Sequence, residues 1–181
     1  MIKLQQLIGL PIIDANNGKL AGKVKDIWFD EHWLLTGIIL EARIWMSSRV
    51  KALRWEHVTA CGEDAVLISD RQAVELLPAS EISRCFQTGR TKLKDLPVVT
   101  TDGVQLGRVS DVYFDQLQGT PIVGYELTDG FISDLKEGRK WLRISDYPDE
   151  VTLGDDTILV PVRAEQDLEH TATSESVSRE K

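Results

Sequence analysis

The sequence is short of the residues from which most chemical sites are built. Its 181 residues include two cysteines and three histidines, with no Cys-x-x-Cys or His-x-x-x-His pairing. Metal sites need such ligands at short spacing, so neither a metal nor a cofactor is expected. Cys61 and Cys85 stand 24 residues apart. One disulfide is open to them, but two thiols in a reducing cytosol is the reading taken here. Gly-x-Ser-x-Gly is absent, which removes the hydrolase nucleophile turn. Gly-Lys-Leu-Ala-Gly-Lys-Val at 18–24 lacks the spacing of a phosphate loop and opens a strand where such a loop opens a helix. Long apolar runs are missing too. The stretch around residues 33–40 is far below the ~20 residues of a membrane helix. Gln5 and Gln6 interrupt the apolar N-terminus, and no small-residue cleavage site follows. The expectation is a cytoplasmic protein without a membrane span, and not an enzyme.

Positive charge is also scarce. The net charge is −8, and it is unevenly spread. Residues 1–80 hold nine basic and ten acidic side chains, while residues 93–162 hold six basic against thirteen acidic. Residues 81–92 are locally basic, with three cations against one carboxylate. Broad contact with phosphate backbones needs a basic face, so nucleic acid is not the expected partner, and the basic run at 81–92 is a local patch that leaves it open.

What the chain does have is a stretch that occurs twice. Residues 11–29 read PIIDANNGKLAGKVKDIWF, and residues 97–114 read PVVTTDGVQLGRVSDVYF. Gly22, Val24, Asp26, Phe29 and Asp30 map onto Gly107, Val109, Asp111, Phe114 and Asp115 at a constant offset of 85. Later, GEDAVLI at 62–68 recurs as GDDTILV at 154–160, at an offset of 92. The chain is two copies of one small domain. Each copy opens as a β-hairpin: a short apolar strand, then Asn-Asn-Gly or Asp102-Gly103 turn chemistry, then an interrupted alternation of apolar residues. Gly22 and Gly107 at the start of the second strand mark a bulge or a close backbone approach.

These residues carry a resemblance. The pattern Leu-Pro-Val-x-x-x-x-Gly-x-x-x-Gly-x-Val-x-Asp-Val-x-Phe-Asp resembles the PRC-barrel, a domain found in the photosynthetic reaction-centre H subunit and in a ribosome-maturation factor. The resemblance covers about residues 2–75 and 90–162. The segment from Gly124 to Lys140 resembles in particular the soluble two-barrel proteins of Gram-positive bacteria. The fold this implies is all-β: two tandem small barrels joined by a short linker with room for a helical turn. The function it implies is docking onto a larger complex, since both relatives use the barrel that way. This chain lacks the membrane helix of the H subunit.

The expected boundaries are a first barrel at 1–77, a linker at 78–92, a second barrel at 93–162 and a disordered acidic tail at 163–181. A long strand over 36–45 has Ile38, Leu40, Ala42 and Ile44 at period two, so one face should be buried. Helical turns are placed at 73–77 and 83–87, with Ser80 positioned as a cap, and a short helix at 133–137 ahead of Gly138. The tail is rich in Ser, Thr and Glu and has few large aliphatics.

Two kinds of candidate site follow. Asp26 and Asp111 are kept in both copies, and the structural reading, an acceptor for backbone N–H groups, outweighs a catalytic one. No catalytic residue is expected. For a protein partner, one apolar stretch with a charged rim follows the long strand in each barrel. In the first it is Trp45, Met46, Arg49 and Lys51; in the second it is Phe131, Ile132, Lys136, Arg139 and Lys140. The function expected is a non-catalytic interaction or assembly adaptor, with homo-oligomerisation open. The alternative is an RNA- or ribosome-associated factor using the basic linker with Arg49, Lys51 and Arg54.

Overall fold

The computed structural model describes residues 1–42, 48–82, 84–115, 121–130, 138–147 and 149–171. Its strands are β1 (Ile2–Lys3), β2 (Pro11–Asp14), β3 (Leu20–Phe29), β4 (Leu35–Leu40), β5 (Arg49–Arg54), β6 (Val58–Cys61), β7 (Val66–Ile68), β8 (Glu75–Pro78), β9 (Arg84–Cys85), β10 (Thr91–Lys92), β11 (Pro97–Thr100), β12 (Gln105–Phe114), β13 (Ile122–Thr128), β14 (Arg139–Arg143), β15 (Thr152–Leu153), β16 (Ile158–Val160) and β17 (Glu169–Thr171). The described α-helix is one turn, Leu4–Leu7. The chain is all-β, as the repeat implies.

The same strand order appears twice. One sheet runs β6-β7-β2-β3-β4-β5-β8, and the other β15-β16-β11-β12-β13-β14-β17. In each, the opening hairpin strand pairs parallel with the late strand of the same repeat: Ile12 with Val66, and Val98 with Ile158. This parallel pair sits inside the sheet, with β6 and β15 outside it at the edges. The contacts divide the chain into two compact units, Met1–Leu93 with Tyr113–Ile122, and Lys94–Val112 with Val123–Lys181.

The repeated glycines do the two things their position suggests. The ladder slips a register between Ile12 and Ile13 opposite Gly22, and likewise between Val98 and Val99 opposite Gly107. A Cβ on Gly22 would stand 2.8 Å from Leu40 Cδ2. Gly107 has φ +151, and a Cβ there would come within 3.2 Å of Leu127 Cβ. At Gly107 the backbone conformation itself favours glycine, whereas at Gly22 a side chain would have to displace the end of Leu40.

In the first unit the interior is filled by Ile12, Val24, Ile38, Leu40, Leu53, Val66 and Ile68, all buried. A second cluster of Trp28, Ile39, Ala52, Leu77, Ile82 and Cys85 is also buried. Strand β4 is therefore covered on both faces, against the expectation of one buried face. The cause is the chain after β8, which returns and lays Ile82 and Cys85 over Ile39. Ala42 is exposed, and Ile44 lies outside the described residues.

Two further expectations are corrected. The linker is part of the first unit. The helical turns expected at 73–77 and 83–87 are instead strands, β8 at Glu75–Pro78 and β9 at Arg84–Cys85; the 3-10 turns lie at Arg71–Ala73 and Ala79–Glu81, and Pro78, not Ser80, caps the second. Beyond them β9 pairs with Trp28 and Phe29, and Phe86 and Leu93 are fully buried. Residues 163–171 are not a disordered tail. A 3-10 turn spans Val162–Glu165 with Ala164 fully buried, and β17 pairs antiparallel with β14. Strand β17 is the repeat of β8: Leu76 stands opposite Lys51, and His170 opposite Lys140. Backbone pairing needs no apolar side chain, so composition alone misses it. The helix expected at 133–137 lies outside the described residues.

Candidate interaction surface

The repeated motif residues are structural. Val24, Phe29, Val109 and Phe114 are buried core. Asp26 is fully buried and accepts from Ile27 N (2.8 Å), Gln87 N (3.1 Å), Thr88 N (2.7 Å) and Thr88 Oγ1 (2.6 Å). It ties the linker to β3 and has no lone pair aimed at solvent. Asp111 is buried and accepts from Val112 N at 2.8 Å. Both carboxylates are used as backbone acceptors in the way a strand-edge Asp is.

The expected partner-binding residues separate into two groups. Trp45, Met46, Phe131, Ile132 and Lys136 lie outside the described residues. Arg49 and Lys51 are on β5, and Arg139 and Lys140 on β14, at strand edges already paired with β8 and β17. Their pairings do not match between repeats. By register Arg139 is the equivalent of Val50, which packs on the Trp28 cluster. Arg139 instead bonds the buried Glu126 at 2.5 Å, with Ser110 Oγ 3.2 Å from the same carboxylate oxygen. Lys140 bonds Asp129. Arg54 pairs with Glu75 at 3.1 Å. Arg54, Arg139 and Lys140 are thus each paired with a carboxylate of their own unit.

A cleft of about 360 Å³ lies on the first unit, floored by Trp28, Phe29, Leu77 and Ile82. Its rim mixes Arg54 and His32 with Glu31 and Glu81, without donors converging on one point. Beside it Asp30 Oδ1 accepts from His32 N and Leu34 N, both at 2.8 Å, holding buried Trp33 at φ +60. Arg84 stacks on that indole, 5.1 Å from its centre.

The surface that sequence reasoning missed is the outward face of each hairpin sheet. In β2 and β7 burial alternates: Ile12, Asp14, Val66 and Ile68 point in, while Ile13 and Leu67 point out and are half-buried. The register then draws one row across four strands, Leu20–Ile13–Leu67–Ala60. Every member is apolar, and Leu20 is 59% exposed. The second unit has the equivalent row Gln105–Val99–Leu159–Thr152, with Leu159 exposed. The signal was present: strands that read apolar at every position have apolar residues on both faces, and a small sheet buries only one inside itself.

With this geometry the chain is placed by comparison. A family model described as PRC-barrel domain matches residues 1–74 and 88–167. The chain belongs to the PRC-barrel family, and carries the barrel as a tandem pair. It is also similar to the "Uncharacterized protein YrrD" of Bacillus subtilis (strain 168), with 31% identity over 143 residues, 79% of each chain. Among the described residues, no helix is long and apolar enough to cross a membrane.

Proposed function

We propose that this protein is a non-catalytic assembly module of the cytoplasm, whose two PRC barrels hold protein partners on their outward sheet faces. The observation that carries the reading is the uncharged row at the same register in both repeats, apolar throughout in the first. Apolar area left in water on an ordered sheet, with charge at its margins, is the anatomy of a docking face. Asp26 supports the non-catalytic part, because a carboxylate holding four donors has no free valence for acid–base work. The buried thiol of Cys85 suits a reducing compartment. The RNA-associated alternative is the weaker reading, since of its cations Arg54 is paired with Glu75 and Arg84 of the linker is stacked on Trp33, and the net charge of −8 opposes a phosphate backbone.

The test is crosslinked affinity capture from native extract, comparing the wild type with Leu67→Asp plus Leu159→Asp. Loss of the captured set at unchanged melting temperature supports docking by these faces. Retention of every partner by the folded double variant refutes it.

A further inference from the structure

The outward face of the first unit has a charge order that the apolar row alone does not explain. One row along, Lys23 stands opposite Pro11, and Ala65 directly precedes Val66, the parallel partner of Ile12. Ala65 closes the turn through Gly62, Glu63 and Asp64, where Gly62 N donates to Ala65 O at 2.9 Å. Across the face the sequence of side chains is therefore cation, proline, alanine, then two carboxylates. Lys23, Glu63 and Asp64 are exposed, and none of them makes an ion pair among the described residues. The apolar row runs parallel to this line.

Such a face is its own complement. Stack it on a second copy about a two-fold axis parallel to the strands. The axis reverses left and right, so Lys23 of each copy meets Glu63 and Asp64 of the other. The rows Leu20–Ile13–Leu67–Ala60 then lie across one another, Leu20 over Ala60 and Ile13 over Leu67. Large residues meet small or central ones, as packed sheets about 10 Å apart require. Both salt contacts form at the rim, where they fix register more than they add affinity. Closed two-fold contacts of this isologous kind are the commonest route to a symmetric dimer.

We propose that the first unit's outward sheet face pairs with the same face of a second copy of this chain. The proposal rests on the docking reading above and names the occupant of one of its two faces. The second unit is the poorer candidate, because Gln105 and Thr152 replace Leu20 and Ala60 in its row.

The test is sedimentation equilibrium of the full chain from micromolar to millimolar concentration. The expected result is a reversible dimer. Leu20→Asp, at an exposed site that keeps the fold, should weaken it at least ~10-fold, equivalent to about 1.4 kcal/mol. Lys23→Glu should weaken it, as should Glu63→Lys with Asp64→Lys; all three changes together should restore it. Leu159→Asp should leave it unchanged. A monomer at every concentration overturns the proposal, as does a dimer indifferent to Leu20→Asp or lost on Leu159→Asp. Partner capture that still depends on Leu67 and Leu159 in a monomeric protein would leave the docking reading standing without self-pairing.

Discussion

Asp14 and Thr100 occupy equivalent places at the tips of the two hairpins, both buried, and hold their turns by different chemistry. Thr100 Oγ1 accepts from Val104 N at 2.9 Å and donates to Asp102. Asp14 takes N–H groups from Arg71 (3.0 Å) and Asn16 (2.8 Å) and the side chain of Asn17 (3.1 Å). Those bonds, that from Arg71 first, hold its carboxyl below the ordinary value of 3.8. A carboxylate depressed on folding contributes stability above its unfolded pKa and loses it as pH falls through the folded one. The urea midpoint of the wild type should therefore exceed that of Asp14→Asn at neutral pH and converge on it in acid below 3.8. A gap of constant size across that range would contradict this account. Tyr125 is the opposite case. It is fully buried where the first repeat has Ile38; its hydroxyl has no hydrogen-bond partner among the described residues, and burial drives its pKa far up. Tyr125→Phe should raise stability by about 1 kcal/mol in urea unfolding, because it removes an unmet donor and keeps the ring. A loss of stability would mean that the hydroxyl is satisfied.

At the scale of elements, two short segments hold more than their length suggests. The linker's 87–88 amides are anchored by Asp26, and Asp26→Ala leaves those donors buried or forces the linker off β3. The expected cost in urea unfolding is on the order of 3 kcal/mol. Unchanged stability would show the linker is held by Phe86 and Leu93 alone. Strand β17 is tied by its ladder to β14 and, upstream, by the Tyr147–Asp167 bond and the Arg163–Glu150 pair. Truncation after Gln166 should destabilise the protein by roughly 3 kcal/mol, at about 1 kcal/mol per lost bond, whereas truncation after Thr171 should not move the melting temperature. Equal behaviour of the two truncations would remove β17 from the fold. The repeat made the hairpins legible because turn glycines and a buried Asp demand particular residues. Strands β8 and β17 were illegible because their pairing uses backbone groups that any sequence supplies.

For the whole molecule, the net charge of −8 and pI near 4.9 set the behaviour toward polyanions. Filter binding to single-stranded RNA at physiological salt should show no saturable complex, and micromolar affinity there would revive the RNA-associated reading. The architecture was largely readable: two copies, a hairpin opening each, glycine at the bulge. The apolar row proposed as a docking face was not, because Trp45 and Phe131 draw the eye as bulky residues, while Leu20, Ile13 and Leu67 form a row only once register brings three strands together. The anchoring of the linker by Asp26 has a practical result for anyone cutting this chain. Arg84, Arg90 and Lys92 look alike to trypsin, yet Arg84 lies in a paired strand and is stacked on Trp33, while Arg90 is exposed just after Gly89. Limited digestion should nick first at Arg90, leaving residues 84–88 on the N-terminal fragment, and an expression boundary drawn at Pro78 would strip the first barrel of the peptide that closes it.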